Sequence, residues 1–458
     1  MNKEIFTLDY MLAPPPMDQL MTWVCLSSIT ISILALGYIW LRKRYWLFQP
    51  SLIIFSLICL RIQLPALFFV QWASENLQNP WAFIAVTQLF PFLYLAAAIP
   101  LSYARDSMLQ EFAARLKTQL WGTHAWPPGL MIFCLVMSIL TVVVYCMYTP
   151  FKQSGLYALF FDPTQINVAR ASTWQSVDNR AIGYFLSWGY HIFSVLLIFG
   201  SIFSFVYHKN RVFQSPLTVF SICVGFVALA FTGNRGGLTL VTLTVLGAYY
   251  CAKRRMPSKV MLAIGMIVVF AAPAYLSLVR EGQDWTLDRH FEYINTLILH
   301  RIFEVPNQMG ILYVYDAQAT GYSGASGFRL FAAMMGAEGE SLQARIGNEY
   351  LYAGQYCNAT AVFEYYKMMG LFGIPVTVIG MLCLDLFLLF LRRPTIALLP
   401  FVVFFANRAI QGSETTVTVL LMTGGFWLVP VLAFFSHIPV VHNKNNSSPS
   451  TLNRARLA

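Results

Sequence analysis

Long apolar runs separated by short polar connections dominate the chain. Each run is about 20 residues long, the length that an α-helix needs to cross the hydrocarbon core of a bilayer. The pattern predicts an all-α fold, a polytopic bundle of about 11 transmembrane helices. The predicted spans are residues 20–41, 47–73, 81–102, 128–149, 183–207, 213–232, 237–252, 260–279, 369–391, 395–411 and 415–437.

Lysine and arginine are concentrated in alternate connections, and this alternation predicts the orientation. The basic connections are 42–44, 105–117, 209–211, 253–259, 392–393 and the segment after 437, which we expect to be cytoplasmic because positive loops stay inside. We then expect the N-terminus to be an uncleaved tail outside the membrane and the C-terminus to be cytoplasmic. We expect one membrane domain over 1–437, outer loops at 150–182, 232–237 and 280–367, and a disordered cytoplasmic tail at 438–458.

Composition excludes several classes of function. The chain is 57% hydrophobic and only 11% charged, and its net charge of +10 comes largely from the connecting loops, so nucleic acid is not an expected partner. Seven of the eight cysteines lie in apolar runs, and no CxxC pair is present. No HExxH, Walker or GxSxG motif occurs either. We therefore expect no metal site and no cofactor.

The predicted outer loop at 280–367 is the most polar part of the chain and is the first place to look for a binding site. Within it, residues 287–304 predict an amphipathic helix, which lies at the outer membrane boundary or packs on the bundle with a solvated face. The short turn that holds Arg235 contains three glycines, which allow a ligand close to the backbone. The arginines of the outer loops are Arg170, Arg180, Arg235, Arg280, Arg289, Arg301, Arg329 and Arg345.

Two charges fall inside predicted spans. Arg61 lies near the middle of its span, where an unpaired arginine costs at least about 2.5 kcal/mol, so it needs a partner or a wet cavity. Asp385 is one candidate partner for it, and a separate polar network around Asp385 is the alternative. One guanidinium group can bind two phosphate oxygens at once. Arginines beside hydrocarbon therefore predict an anionic, lipid-borne ligand such as a polyprenyl diphosphate.

Three features together resemble a known family. They are the hairpin FTGNRGGLTLVTLTVL, the arginine-rich outer loop that follows, and NATAVFEYYKMMGLFGIPVTVIG leading into the next span. The chain resembles the O-antigen and oligosaccharide repeat-unit polymerases, the Wzy group, over roughly residues 20–437. The resemblance implies a glycosyltransferase of the bacterial inner membrane. It would join undecaprenyl-diphosphate-linked oligosaccharides into surface polysaccharide at the outer face.

That resemblance and the arginine chemistry suggest roles for particular residues. We expect Arg235, Arg280 and Arg289 to stabilise the diphosphate leaving group, without a metal. The base for the acceptor hydroxyl is one of His290, His300 and Glu281, which the sequence does not rank. The further candidates for substrate binding are Arg61, Arg170, Arg180, Arg301, Arg329 and Arg345. Expected partners are the lipid-linked oligosaccharides, membrane lipids and a chain-length regulator.

Two other functions fit the same topology. An O-antigen ligase would use the same arginine chemistry on a different acceptor. A transporter or flippase of lipid-linked sugars would instead have internal repeats and helices broken near the middle of the membrane. The sequence shows no convincing repeat, which favours the polymerase.

Overall fold

The computed structural model describes most of the N-terminal two thirds of the chain and part of the remainder. The described stretches are residues 19–42, 49–101, 128–162, 180–207, 216–232, 236–253, 257–280, 286–299, 303–324, 342–351, 357 and 359–385, with single positions at 107, 110–111, 114, 165, 169 and 177. Every regular element within them is helical. The predicted spans 395–411 and 415–437 and the predicted tail 438–458 lie outside the described residues.

Besides helical residues 90–101, the described part of the chain contains sixteen α-helices, some joined by π or 3-10 turns. They are α1 Gln19–Arg42, α2 Pro50–Ile58, α3 Leu64–Asn76, α4 Trp81–Ile84, α5 Pro128–Tyr148, α6 Gly155–Phe161, α7 Arg180–Trp188, α8 Ser194–Tyr207, α9 Pro216–Ala230, α10 Gly236–Lys253, α11 Lys259–Arg280, α12 Leu287–Leu299, α13 Val305–Thr320, α14 Leu342–Tyr350, α15 Ala361–Met369 and α16 Gly373–Leu384.

Six of the described helical stretches are long and apolar enough to cross a membrane. This confirms a helical, membrane-type fold, while the count of about 11 spans stays a prediction. Five of the six coincide with the first five predicted spans, and α9, α10 and α11 lie where the next three were expected. The six stretches are Gln19–Ile39, Ser51–Asn76, Trp81–Leu101, Gly129–Tyr148, Ala181–Val206 and Ala361–Leu384.

Three of these stretches contain a π-helical turn, at Cys59–Gln63, Ala85–Leu89 and Gly189–Phe193. A π turn inserts an extra residue into the helix and is frequent at functional sites. In the first, the side chain of Gln63 donates hydrogen bonds to Ser28 and Ser32 of α1, at 2.8 and 2.9 Å. The turn therefore joins neighbouring helices through buried polar groups.

Helix α13 packs among the candidate spans, although it belongs to the predicted outer loop. Near its start, Asn307 Nδ2 donates to the backbone carbonyl of Arg61, in the middle of Ser51–Asn76, at 2.9 Å. Near its end, Gln318 Nε2 donates to the carbonyl of Asn79, in the turn after that span, at 2.9 Å. Helix α13 therefore lies beside the second half of Ser51–Asn76, from the level of Arg61 to the turn at Asn79.

Helix α15 lies beside α13 and runs in the same direction. Just before α15, Cys357 Sγ lies 3.1 Å from Met309 Sδ. At the other end, Lys367 Nζ donates to the carbonyl of Gly321, at 2.6 Å. Two parallel helices therefore begin side by side within the bundle and end side by side near Asn79.

The chain turns back at Gly370, so Ala361–Leu384 is two helices rather than one straight span. Gly370 adopts φ 63°, in the left-handed region that favours glycine. A β-carbon on Gly373 would collide with the carbonyl oxygen of Tyr365, although a straight helix would hold these residues about 12 Å apart. Helices α15 and α16 are therefore a hairpin, and the span predicted at 369–391 starts after its tip.

Candidate functional site

The carboxylate of Asp316, near the end of α13, is the centre of a buried ionic cluster. Its Oδ2 atom lies 2.7 Å from Arg345 Nη2 and 2.8 Å from Lys367 Nζ. Its Oδ1 atom accepts a hydrogen bond from the hydroxyl of Tyr350, at 3.0 Å. The Asp316 side chain is 0% exposed, and a buried carboxylate is tolerated only when it is paired in this way. The cluster joins helices α13, α14 and α15.

Lys367 is fully engaged by the end of α13. Besides the Asp316 carboxylate, its ammonium donates to the carbonyls of Asp316 and Gly321, at 3.0 and 2.6 Å, and to Thr320 Oγ1, at 2.6 Å. The side chain is 1% exposed. An ammonium group has three protons, so these four oxygens use all of its capacity. Lys367 therefore caps α13 and fixes it to α15, and it has no proton left for a substrate.

Arg345 is the member of the cluster that faces solvent. Its side chain is 37% exposed, and its Nη1 atom lies 3.7 Å from the carboxylate of Glu349 on the same helix. Because a guanidinium group carries five N–H donors, the contact with Asp316 orients it without using all of them. Among the predicted substrate-binding arginines with a described side chain, Arg345 is held in place and open at one edge.

Opposing effects act on the acidity of the cluster. Burial raises the pKa of Asp316, but the hydrogen bond and charge of Lys367 and the charge of Arg345 outweigh it, so the carboxyl pKa lies below its ordinary value. Burial and the bond to Asp316 raise the pKa of Tyr350. Asp316 therefore remains ionised and Tyr350 remains protonated around neutral pH.

Glu364 is a second buried carboxyl close to the cluster. It lies one helical turn before Lys367, and its Oε1 atom accepts a hydrogen bond from the amide of Gln343. The backbone carbonyl of Gln343 in turn accepts from the amide of Cys357, at 2.9 Å. These contacts join α14 to the start of α15. Asp316, Glu364 and Lys367 were not among the predicted site residues, although acids and a lysine beside apolar residues were a visible signal.

Two predicted catalytic residues lie on α12. The Arg289 side chain is exposed, whereas His290 is buried. The apolar stripe was expected either to lie at the membrane boundary or to pack on the bundle, and its residues Leu287 and Phe291 are both more than half exposed. Adjacent side chains on an α-helix point about 100° apart, so Arg289 and His290 have different surroundings. Their roles at one site stay a prediction.

The remaining predicted residues are described only in part or not at all. Arg280 ends α11 and Arg180 begins α7, and only their backbone is described. The convergence of Arg235 with Arg280 and Arg289 therefore stays a prediction. The predicted site residues outside the described part of the chain are Arg170, Arg235, Glu281, His300, Arg301 and Arg329.

Arg61 and Asp385 belong to different levels of the bundle. Asp385 accepts hydrogen bonds from the amide and hydroxyl of Ser51, at 3.0 and 2.6 Å, and the Ser51 hydroxyl lies 2.8 Å from that of Tyr94. Ser51 and Arg61 are ten residues apart on continuous helix, or about 15 Å. Of the two alternatives for Asp385, the structure supports the separate polar network. Arg61 itself is buried in the first π turn.

Comparison with known proteins adds no relative. Searches of protein-family models, of curated proteins and of solved structures find no match. Within the described residues, no group of histidine, cysteine, aspartate and glutamate side chains is arranged to hold a metal ion. The geometry and the sequence resemblance are therefore the basis for a functional proposal.

Proposed function

We propose that the chain is a membrane glycosyltransferase, an O-antigen or oligosaccharide repeat-unit polymerase. It transfers a growing glycan from one undecaprenyl diphosphate to a hydroxyl of a second lipid-linked unit, at the outer face of a bacterial inner membrane. The diphosphate is the leaving group, and arginine side chains stabilise its charge without a metal. The sequence resemblance suggests this reaction.

The observation that carries the proposal is the buried ionic cluster in the polar segment. Charges inside a membrane bundle are costly and are typical of functional sites. Here Asp316 holds Arg345 in a fixed direction with an open edge, which suits recognition of a phosphate oxygen. In this proposal Lys367 and Asp316 are positioning residues, and Arg345 is a residue that contacts substrate.

The test is the lipid-linked product that accumulates when the chain is absent. In cells that lack it, we expect single repeat units attached to lipid, and restoration of long chains by the wild-type chain. A ligase would instead leave long chains on undecaprenyl diphosphate that never reach the final acceptor. Long chains of normal distribution in the deletion strain would contradict polymerisation.

A transporter of lipid-linked sugars is the second candidate, because one feature of the structure favours it. Three candidate spans contain π turns, and α13 and α15 are short helices within the bundle, as in transporters whose broken helices surround the substrate. The side of the membrane on which the repeat units accumulate separates the two functions. In the deletion strain, units open to a glycosidase added to the outer face indicate a polymerase, whereas protected units indicate a transporter.

A further inference from the structure

The start of α15 is a buried helix N-terminus with an unused hydroxyl group. Thr360 occupies the N-cap position with extended backbone, φ −68° and ψ 156°. Threonine at this position ordinarily caps the helix through its side chain. Here Oγ1 makes no capping bond, and among the described groups it has no hydrogen-bond partner although the residue is 1% exposed.

Two backbone amides lie next to this hydroxyl group. The amides of Phe363 and Glu364 both donate to the carbonyl of Thr360, at 3.0 and 3.2 Å. The amides of Ala361 and Val362 precede these bonds, and no described group accepts from them. Both residues are 2% exposed. Buried donors are nearly always satisfied, so a hydroxyl group that is unpaired among the described residues, beside two first-turn amides, indicates a ligand.

The parallel arrangement of α13 and α15 adds favourable electrostatics. The N-terminus of each helix carries a partial positive charge of roughly half an elementary charge. Because the two helices begin side by side, these charges lie near each other, close to the level of Arg61 on the adjoining span. A site with amide donors, a hydroxyl group and this field selects an anion with several oxygens.

We propose that Thr360, Ala361 and Val362 form a binding site for phosphate oxygens, in which the Thr360 hydroxyl and the two amides donate to the ligand. The anion class follows from these donors, whereas its assignment to the diphosphate of a lipid-linked sugar rests on the proposed function. The site lies at the buried end of the segment that holds the ionic cluster. None of its three residues is among the site residues predicted from the sequence.

The experiment measures binding of inorganic pyrophosphate to the purified full-length chain by isothermal titration calorimetry. Thr360→Val keeps the shape and removes the hydroxyl group, and we expect about tenfold weaker binding. Thr360→Ser keeps the hydroxyl group and should bind nearly as tightly as the wild type. Thr360→Ala also removes the hydroxyl group and should bind about as weakly as Thr360→Val.

Each outcome decides between the alternatives. Absence of pyrophosphate binding to the wild type, or unchanged affinity in Thr360→Val, overturns the site. If Thr360→Val does not fold, Thr360→Ala decides, because unchanged affinity in that variant also overturns the site. If pyrophosphate binds as expected but cells with Thr360→Val make polysaccharide of normal length, the site is supported and its role in polymerisation is refuted. If chain length changes without pyrophosphate binding, the polymerase proposal survives and the site does not.

Discussion

Lys367→Met tests whether the ionic cluster holds α13 in place. Methionine keeps the length of the side chain but removes the charge and all donors. The Asp316 carboxylate, at 0% exposure, would then be left with Arg345 and Tyr350 alone. Removing one partner of a buried ion pair costs about 3–5 kcal/mol. Because Arg345 remains within 2.7 Å, we expect the lower end, about 3 kcal/mol.

The assay is the unfolding free energy of the purified chain in mixed micelles, measured by denaturant titration. The matched control is Lys152→Met at an exposed lysine, which should change that free energy by less than about 0.5 kcal/mol. The double variant Asp316→Asn/Lys367→Met removes both charges, so it should lose less stability than Lys367→Met alone. A Lys367→Met variant as stable as the control, or a double variant no better than the single one, would refute this account of the cluster.

Three further predictions concern activity, pH and the hairpin. Arg235→Lys keeps the charge but loses the fork that binds two oxygens, so the polysaccharide chains should become much shorter. EDTA should leave the wild-type activity intact. Polysaccharide of normal length in the variant, or EDTA inhibition that magnesium reverses, would contradict this. Because the folded pKa of Asp316 is depressed, its stabilisation should be complete above about pH 4 and lost as pH falls further. The difference in thermal stability between wild type and Asp316→Asn should then shrink between pH 6 and pH 3, and a constant difference would count against it. Gly370→Ala forces a side chain into left-handed backbone beside Tyr322 and should cost about 1–2 kcal/mol in denaturant titration. The control is Gly129→Ala, where an added β-carbon meets nothing within 4 Å, and a Gly370→Ala variant as stable as this control would contradict the need for glycine at the tip.

Hydrophobic periodicity predicted the early spans well because each is a single long apolar helix. It was less informative between Arg280 and Asp385. Helix α13 contains Asn307, Gln308 and Asp316, so its polarity suggested an exposed loop, yet all three side chains are buried against other helices. Hydropathy averages composition over neighbouring residues, and it does not show which polar groups form hydrogen bonds with residues far away in the sequence.

The hairpin of α15 and α16 was not predicted from the sequence, for a related reason. Residues 361–384 are apolar enough for one span, and the signal for a turn was Gly370 together with Gly373. Two glycines in an apolar helix do not by themselves distinguish a kink from a reversal. The contact between Gly373 and Tyr365 makes the difference, and such contacts are not readable from spacing.

The candidate site was predicted by residue type more than by position. That arginine binds substrate stays a prediction. Arg345 has an open edge, but its direction depends on Asp316, 29 residues earlier. Thr360 gave no signal at all, because an N-cap threonine is ordinarily explained by its own helix. Only the structure shows that its hydroxyl is not used for capping.

The buried pair of Asp316 and Lys367 has a consequence for how the protein is made. Asp316 is synthesised before Lys367, with 50 residues of chain between them. Arg345 follows earlier, but the cluster is complete only with Lys367. Because hydrocarbon disfavours an incompletely paired charge, we expect α13 to stay at the membrane surface until the hairpin of α15 and α16 is made. We therefore expect this region to join the bundle by late docking, after the early spans have inserted.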